Sequence, residues 1–390
     1  MYKLLVLLFI SLFLFIKLRL IKSKNKRKFK TYKYIIKEYK KIVKKYENFT
    51  SISTLGYSIK KNKIYMIQIC DSKFNNIPST RIIFNIHGDE TTGARLGILF
   101  LNFLCYEYYK FKQGTKTKLN SRIANLIKNT NLCFVPSMNP DNLFKKRNNI
   151  KNKDLNRDFI LKKNYKFQPE TKTIINNTNN EDYYFLLDID CHDGAHLLCY
   201  PYDKKKIESL DENNFNYISK QYIEYNKNIK NNPSPSRFQK GYIMGSKWYK
   251  INGGIRDWMY IKNSLLGITI EFNPIKNPSD NIVKKLYNQN KDALLHYLEL
   301  TLNSYRGIII DSNGNPINNA GIYVYNYENS LVSLKKYTNK NGFFAIILAP
   351  GSYKIKIIKE NYLDYIQNIT IDEFQHNIKV KNKKIIMSFL

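Results

Sequence analysis

The sequence predicts an α/β domain, with a mixed, mostly parallel sheet flanked by helices, followed by a small all-β sandwich. Up to about residue 303, apolar β-prone runs alternate with segments whose apolar residues recur at helical spacing. From about residue 305, short alternating strands are separated by Asn-Gly, Pro-Gly and Asn-Pro turns. Helices between buried strands favour a largely parallel sheet, because helical crossovers connect parallel strands. We therefore expect three parts, at residues 1–30, 31–303 and 304–390.

The α/β part begins and ends with a helix. The first has apolar residues at helical spacing, and the last opens with a Pro-Ser-Asp start signal. Between them lie apolar runs that predict strands and one long apolar run that predicts a buried helix. The predicted helices cover residues 31–46, 94–109 and 278–302, and the predicted strands cover residues 63–69, 81–86, 131–138, 183–190 and 266–272.

Three residues that can carry chemistry lie where predicted strands end. His87, His192 and Glu271 are each at or near the end of an apolar, β-prone run. In α/β sheets, functional side chains gather at the carboxyl ends of the strands. The sequence therefore predicts a site at one edge of the sheet.

The net charge of +33 is extreme, and such a charge can indicate binding to nucleic acid or to an anionic membrane surface. Lys, Asn, Ile and Tyr are over-used along the whole chain, however, and all four have A/T-rich codons. Genome composition therefore explains most of the excess. No motif that reads DNA or RNA accompanies the charge, and we expect no nucleic-acid partner.

The N-terminal part carries an apolar run at residues 4–16, followed by a basic block. The run suits the core of a signal peptide, although no small-residue cleavage site follows. Counted through Ile21, it is long enough for a short membrane anchor. The basic block alone would hold the following chain in the cytosol. The segment predicts the secretory pathway, with a membrane-anchored or extracellular protein, and leaves its orientation open. We expect a monomer.

A metal site is indicated by His87-x-x-Glu90, which offers one nitrogen and one oxygen ligand for zinc. Catalytic zinc keeps three protein ligands and an open position, and two histidines with one glutamate form one such set. The motif alone is weak evidence, because HxxE often occurs by chance. The five cysteines add no CxxC metal pattern and no disulfide framework.

The third zinc ligand must come from another of the five histidines. His296 belongs to the last predicted helix and His376 to the β part, which leaves His192 and His196. His192 directly follows a predicted strand and is thus placed like His87. His196 begins the next apolar run, and we expect it to be a packed histidine that binds no metal.

The arginines of one polar stretch suggest recognition of a carboxylate. Lys far outnumbers Arg in this chain, yet Arg147, Asn156 and Arg157 lie together in RNNIKNKDLNRDF. A planar guanidinium binds a carboxylate through two hydrogen bonds, which Lys cannot imitate. The alternative is a solvated loop whose charges face water. Asp154, in the same stretch, could fix the imidazole of His87 through its second nitrogen, as metal-bound histidines usually require.

In these and neighbouring stretches the chain resembles the zinc metallocarboxypeptidases of the funnelin (M14) family. It is most similar to the regulatory branch that includes carboxypeptidases D, E, M and N. The matching stretches occur in family order over most of residues 31–300, and the tail resembles that branch's transthyretin-like sandwich through DSNGNPINNAGIYV and LAPGSYKI. The stretches are HGDETTG, PSMNPDN, RNN…DLNRDF, CHDGAHLLCYPYD, GSKWYKINGGIRDWMYI and ITIEFNPIKNP.

The resemblance implies a role for each matching residue. It implies one zinc ion per chain, held by His87, Glu90 and His192, a set for which carboxypeptidase A is the standard example. Glu271 is similar to the family's general base, and Arg147 to the residue that polarises the scissile carbonyl.

Three further matches concern the end of the substrate. Asn156 and Arg157 resemble the pair that grips the terminal carboxylate, and Tyr249 resembles the tyrosine that closes over it. The resemblance thus implies an enzyme that removes one residue at a time from the C-terminus of a peptide or protein.

Two positions depart from the branch's pattern. The branch usually has His-Gly-Gly after the third ligand, where this chain has Asp193 before a glycine; Asp193 adds charge beside the metal. The branch also has Gln where this chain has Arg256. Asp203 matches the acidic pocket residue that favours terminal Lys or Arg. Arg256 would favour acidic ends or, by pairing with Asp203, neutralise it, and the sequence leaves these outcomes open.

Two other functions are compatible with parts of the pattern. One is a related zinc hydrolase that acts on small acyl-amino acids; the full-length pocket motif and the sandwich tail argue against it. The other is an inactive peptide-binding protein that keeps the fold; the retained zinc ligands and Glu271 argue against that.

Overall fold

The computed structural model describes residues 31–73, 76–376 and 378–390. The predicted signal or anchor segment, residues 1–30, lies outside the described residues. Across the described ranges, no helix combines the length and the apolar character needed to cross a bilayer.

Several helices begin at residues that cap them. Thr31, Thr117 and Ser279 each accept a hydrogen bond from a backbone N–H of the first turn, which satisfies a group that the helix leaves unpaired. The α-helices are α1 (Tyr32–Lys45), α2 (Thr92–Lys112), α3 (Lys118–Asn129), α4 (Pro169–Thr178), α5 (Glu212–Tyr225), α6 (Lys227–Asn231), α7 (Gly245–Trp248), α8 (Ile255–Asn263) and α9 (Asp280–Glu299).

The larger sheet has eight strands in the order β1-β2-β4-β3-β5-β8-β6-β7. Strands β4, β3, β5 and β8 are parallel to one another, as are β6 and β7, and the remaining pairs are antiparallel. The strands are β1 (Thr50–Tyr57), β2 (Lys63–Ile69), β3 (Pro78–Phe84), β4 (Asn131–Val135), β5 (Tyr184–His192), β6 (Leu197–Tyr200), β7 (Tyr242–Met244) and β8 (Leu266–Glu271). The predicted mixed, mostly parallel sheet is confirmed.

The centre of this sheet is covered on both faces. Every residue of β3 and β8 is buried, which explains why these strands read as apolar runs rather than as alternating patterns. Strands β3, β5 and β8 are neighbours and parallel, so their carboxyl ends meet at one edge. This edge carries His87, His192 and Glu271.

The C-terminal part is an all-β domain of two sheets, as predicted. One sheet has the order β11-β10-β13-β14 and the other β12-β9-β15. Ile, Val and Phe side chains from both sheets form a shared core between them. The strands are β9 (Tyr305–Asp311), β10 (Gly321–Tyr325), β11 (Lys336–Tyr337), β12 (Phe343–Ile346), β13 (Gly351–Ile358), β14 (Tyr365–Ile371) and β15 (Asn382–Met387).

The sandwich packs against the α/β domain. The ring of Tyr184, at the start of β5, meets Phe343 edge-on with centroids 5.3 Å apart, and its hydroxyl donates to the carbonyl of Tyr337 at 3.2 Å. The Asp211 carboxylate accepts a hydrogen bond from the backbone N–H of Leu334 at 2.9 Å. Apolar and polar contacts therefore both hold the two domains together.

Candidate metal centre and active-site cleft

The loop that follows β3 is shaped by Asn85. This residue has φ of 61°, in the left-handed region that Asn tolerates better than most residues. Its side-chain amide donates to the carbonyls of His87 at 2.6 Å and Glu90 at 3.3 Å, and its Oδ1 accepts a hydrogen bond from Ser137 at 2.7 Å. Asn85 therefore turns the chain out of the strand and holds the loop that carries two ligand-type residues.

Gly88 allows a second loop to lie directly against this one. A Cβ atom at position 88 would be 2.3 Å from the carbonyl oxygens of both Asn142 and Lys146. The backbone N–H of Gly88 donates to the carbonyl of Arg147 at 3.0 Å. The glycine between His87 and Glu90 is thus required by close backbone approach, which brings Arg147 to the ligand loop.

His87, Glu90 and His192 form a buried cluster whose potential ligand atoms all lie within 4.8 Å of one another. Glu90 Oε2 is 3.1 Å from His87 Nδ1 and 2.8 Å from His192 Nδ1. Two imidazole nitrogens and a carboxylate oxygen form a donor set that suits zinc.

The other ring nitrogen of each histidine is held by a carboxylate. His87 Nε2 lies 3.0 Å from Asp154 Oδ1, and His192 Nε2 lies 2.6 Å from Asp190 Oδ2. Such outer contacts fix the ring and leave Nδ1 as the ligating atom. The pair of imidazoles is therefore oriented toward a single point, and the residues fit a divalent metal ion.

The charged groups of the cluster shift one another's pKa values. Burial raises the pKa of Glu90, but the two imidazoles outweigh it and hold that pKa well below its usual range. For His192, burial lowers the pKa, but Asp190 and Glu90 raise it well above the ordinary value. The site thus favours ionised carboxylates and a positive charge between them, which is the environment of a metal cation.

Glu271 lies beside this cluster. It ends β8 directly opposite His192 of β5 in the parallel register. Its side chain is buried, its Oε2 has no hydrogen-bond partner among the described residues, and burial raises its pKa. A carboxylate that is buried without being hydrogen-bonded is available to accept a proton.

Two cations flank Glu90. Arg147 Nη1 donates to Glu90 Oε1 at 2.9 Å, and its Nε lies 3.2 Å from Asp154 Oδ2. Lys276, from the loop after β8, places Nζ 2.9 Å from Glu90 Oε1. Both side chains line the cleft, so positive charge surrounds the open side of the ligand cluster.

Asp193 lies beside the cluster and lines the cleft, and its backbone N–H donates to Glu90 Oε2 at 3.2 Å. Its Oδ2 accepts a hydrogen bond from the backbone N–H of Thr92 at 3.0 Å, at the N-terminus of α2. Burial raises its pKa well above the usual range, which favours the neutral carboxyl. Asp193, a position at which the sequence departs from the expected pattern, therefore caps a helix.

The cleft next to the cluster has a volume of about 170 Å³. Asn156 and Tyr249 line it, and Tyr249 is 44% exposed. Arg157 does not line this cleft; its Nη1 donates to the carbonyl of Asn156 at 2.7 Å. The structure thus brings Asn156 and Tyr249 to the open side of the cluster and leaves the Arg157 guanidinium bonded to backbone.

Arg256 and Asp203 form a buried ion pair at the end of the cleft. Arg256 Nε donates to Asp203 Oδ2 at 3.2 Å, and Nη2 donates to Oδ1. Arg256 lines the cleft, whereas Asp203 lies behind it and is 1% exposed. Of the alternatives that the sequence left open, the described structure has the paired one.

Sequence reasoning missed Asn85, Asp190 and Lys276. Asp190 could have been found, because it lies two residues before His192 in a strand and therefore on the same face. The role of Asn85 depends on its backbone φ angle, and that of Lys276 depends on the course of the loop after β8. No local sequence pattern indicates either feature. His196 is packed as expected, with Nδ1 3.1 Å from the carbonyl of Asn232.

Two family models and several known proteins match this chain. The model of the zinc carboxypeptidase family matches residues 35–293, and that of the carboxypeptidase regulatory-like domain matches residues 304–380. Human carboxypeptidase D is 28% identical over 353 residues, which cover 83% of this chain and 24% of that protein. Mouse carboxypeptidase M is 27% identical over 356 residues, covering 83% and 77%. The chain spans about a quarter of the length of carboxypeptidase D.

Solved structures share the fold. Bovine thrombin-activatable fibrinolysis inhibitor, in complex with tick carboxypeptidase inhibitor, has a TM-score of 0.57 and 17% identity, with 70% of this chain and 97% of that chain covered. Carboxypeptidase A from Helicoverpa armigera has a TM-score of 0.52 and 15% identity, with 68% and 72% covered. Because the family model matches well over half of the chain, the chain belongs to the zinc carboxypeptidase family and, through its second domain and its relatives, to the regulatory branch.

Proposed function

We propose that the protein is a zinc-dependent carboxypeptidase that releases single amino acids from the C-termini of peptides or proteins. The observation that carries the proposal is the convergence of His87, Glu90 and His192 beside the carboxylate of Glu271, whose Oε2 has no hydrogen-bond partner among the described residues. A ligand set with an open side and an adjacent base is what hydrolysis of a peptide bond requires.

One zinc ion per chain would be held at this cluster by Nδ1 of both histidines and by the carboxylate of Glu90. When bound there, zinc would supply Lewis acidity, which would polarise a carbonyl and ease the deprotonation of water. Asp154 and Asp190 keep both rings in the ligating orientation.

Glu271 is the proposed general base. Its buried carboxylate lines the cleft beside the ligand residues, where it could take a proton from the attacking water and return it to the leaving amine. Arg147, which already contacts Glu90 and Asp154, presents a guanidinium to the same space and is placed to stabilise the negative charge that develops on the carbonyl oxygen.

The terminal carboxylate of the substrate would bind at the Asn156 end of the cleft. Asn156 uses Oδ1 to accept a hydrogen bond from the backbone N–H of Ile255 at 3.0 Å, which leaves its amide N–H groups for the substrate. Arg157 would need to exchange its backbone partner for that carboxylate, and Tyr249 would cover it from the cleft mouth.

The side-chain pocket for the terminal residue is proposed to be close to neutral. The buried pairing of Arg256 with Asp203 cancels the charge that would otherwise select terminal Lys or Arg. We also propose, from residues 4–21, a secretory or membrane-attached location; the apolar run in that segment supports it.

Two peptides that differ only in a free or an amidated C-terminus test the function. The full chain, supplied with zinc, should release one terminal residue from the free acid and act at least ~30-fold more slowly on the amide, because charge-assisted hydrogen bonds are lost. Equal cleavage of both peptides, or cleavage at internal bonds, would refute the carboxypeptidase proposal. Cleavage of acyl-amino acids alone would favour the related hydrolase.

A further inference from the structure

A second His-Glu-His cluster lies where the sandwich meets the α/β domain. His296 and Glu299 are one turn apart on α9, and His376 comes from the chain between β14 and β15. Their potential ligand atoms all lie within 4.8 Å of one another. This is the same donor set as in the first cluster, two imidazoles and one carboxylate, and none of these residues lines the cleft.

His296 is arranged like a metal ligand. It is 2% exposed, and its Nε2 lies 2.6 Å from Gln221 Oε1. Its Nδ1 is buried and has no hydrogen-bond partner among the described residues. The ring stacks on Tyr225 with centroids 3.9 Å apart. One nitrogen is thus held by an oxygen, while the other is buried and has no partner among the described residues, which is the arrangement that metal-binding histidines require.

His376 completes the cluster from the sandwich side. Its Nδ1 lies 3.2 Å from Glu299 Oε2, and its Nε2 lies 2.9 Å from the hydroxyl of Tyr225. Its side chain is 23% exposed, whereas that of Glu299 is 1% exposed. The cluster is therefore closed on the side of α9 and reachable from solvent on the side of His376.

We propose that His296, Glu299 and His376 bind a second zinc ion that fastens the sandwich to the α/β domain. The ion would join a helix of one domain to a loop of the other. Its role would be structural, because no unpaired carboxylate comparable to Glu271 accompanies the donor atoms among the described residues.

Arg122 should reduce the affinity of this site for zinc. Its Nε donates to Glu299 Oε1 at 2.9 Å and its Nη2 to Oε2 at 2.6 Å. A zinc ion on Oε2 would displace one of these hydrogen bonds and leave the other, while facing the guanidinium charge. The second site should therefore bind zinc more weakly than the first.

Zinc content of purified full-length variants tests the proposal. After equilibration with zinc and removal of free metal, wild type should hold two zinc ions per chain and His376→Ala one. His196→Ala, which removes a buried histidine outside both clusters, should hold two. His376→Gln, of similar size to histidine, should repeat the loss if His376→Ala fails to fold.

The His192→Ala background separates this site from the catalytic one. Zinc should raise the Tm of His192→Ala, which keeps only the second cluster, and leave the Tm of His192→Ala/His376→Ala unchanged. If His376→Ala and His376→Gln both hold as much zinc as wild type, or if zinc raises the Tm of both backgrounds equally, the second site is refuted. If the first cluster bound no zinc, wild type would hold one ion, and loss of that ion in His376→Ala would still support the second site.

Discussion

His192 and Glu271 are direct register partners at the ends of the neighbouring parallel strands β5 and β8. One is a ligand-type imidazole oriented by Asp190, and the other is a buried carboxylate whose Oε2 has no hydrogen-bond partner in the described part of the chain. Backbone hydrogen bonds between two central strands therefore set the distance between the proposed ligand and the proposed base. Sites built on rigid strands hold such geometry better than sites built on loops.

Gly88→Ala should weaken zinc binding at the first cluster. The new Cβ would lie 2.3 Å from two carbonyl oxygens, and backbone atoms cannot move aside as a flexible side chain can. We expect zinc affinity to fall by ~10–100-fold, the range for residues that position metal ligands. Gly267→Ala is the matched control, because its Cβ would meet nothing closer than 3.8 Å. Competition with a chelator measures the zinc affinity of both variants. Unchanged affinity in Gly88→Ala would contradict the proposal that close backbone approach at Gly88 positions the ligands.

Arg256→Gln should shift substrate preference toward terminal Lys. Removing the guanidinium frees the buried charge of Asp203, which then attracts a basic side chain. We expect the ratio of kcat/KM for terminal Lys to that for terminal Phe to rise at least ~10-fold, or about 1.4 kcal/mol. The double variant Arg256→Gln/Asp203→Asn should cancel the gain. A wild-type enzyme with a strong Lys preference that Arg256→Gln leaves unchanged would show that the pair does not set specificity.

Lys336→Met should stabilise the protein at neutral pH and remove part of its pH dependence. Burial at the domain interface lowers the pKa of Lys336 to about 8, below its value of about 10.4 in an unfolded chain. Between these values the unfolded state binds more protons, so this lysine makes stability rise with pH. Below pH 8 the buried ammonium group lowers the free energy of unfolding by its full amount, up to about 3 kcal/mol.

The Tm difference between Lys336→Met and wild type should therefore be largest near pH 7 and shrink toward pH 10. Lys335→Met is the control, since its ammonium group lies over the rings of Tyr323 and Tyr337. A Tm difference that stays constant from pH 7 to pH 10 would mean that Lys336 is not the titrating group.

The central strands and the first cluster could be predicted because local signals coincide there. Burial on both faces makes β3, β5 and β8 continuous apolar runs. Polar residues at the ends of such runs are therefore easy to recognise in the sequence. The resemblance to a family supplied the roles of Glu271 and Arg147. The domain boundary near residue 304 stays a prediction, although β9 begins at Tyr305.

What could not be predicted depends on how distant segments meet. Whether Arg256 pairs with Asp203 is decided by packing across 53 residues of sequence. The second cluster joins Glu299 to His376, which are 77 residues apart and belong to different domains. Among the described residues, the sandwich by itself contains no such cluster, so the cluster becomes visible when the two domains are docked.

Glu271 is the proposed general base beside a zinc ion held by His87, Glu90 and His192. The most direct measurement is kcat/KM of Glu271→Gln for a peptide with a free C-terminus, with zinc content determined on the same sample. The amide is nearly isosteric but cannot accept the proton, so zinc content should equal that of wild type while kcat/KM falls at least ~100-fold. Cleavage within about threefold of wild type by zinc-loaded Glu271→Gln would contradict the account, because a general base contributes ~10²–10⁴-fold.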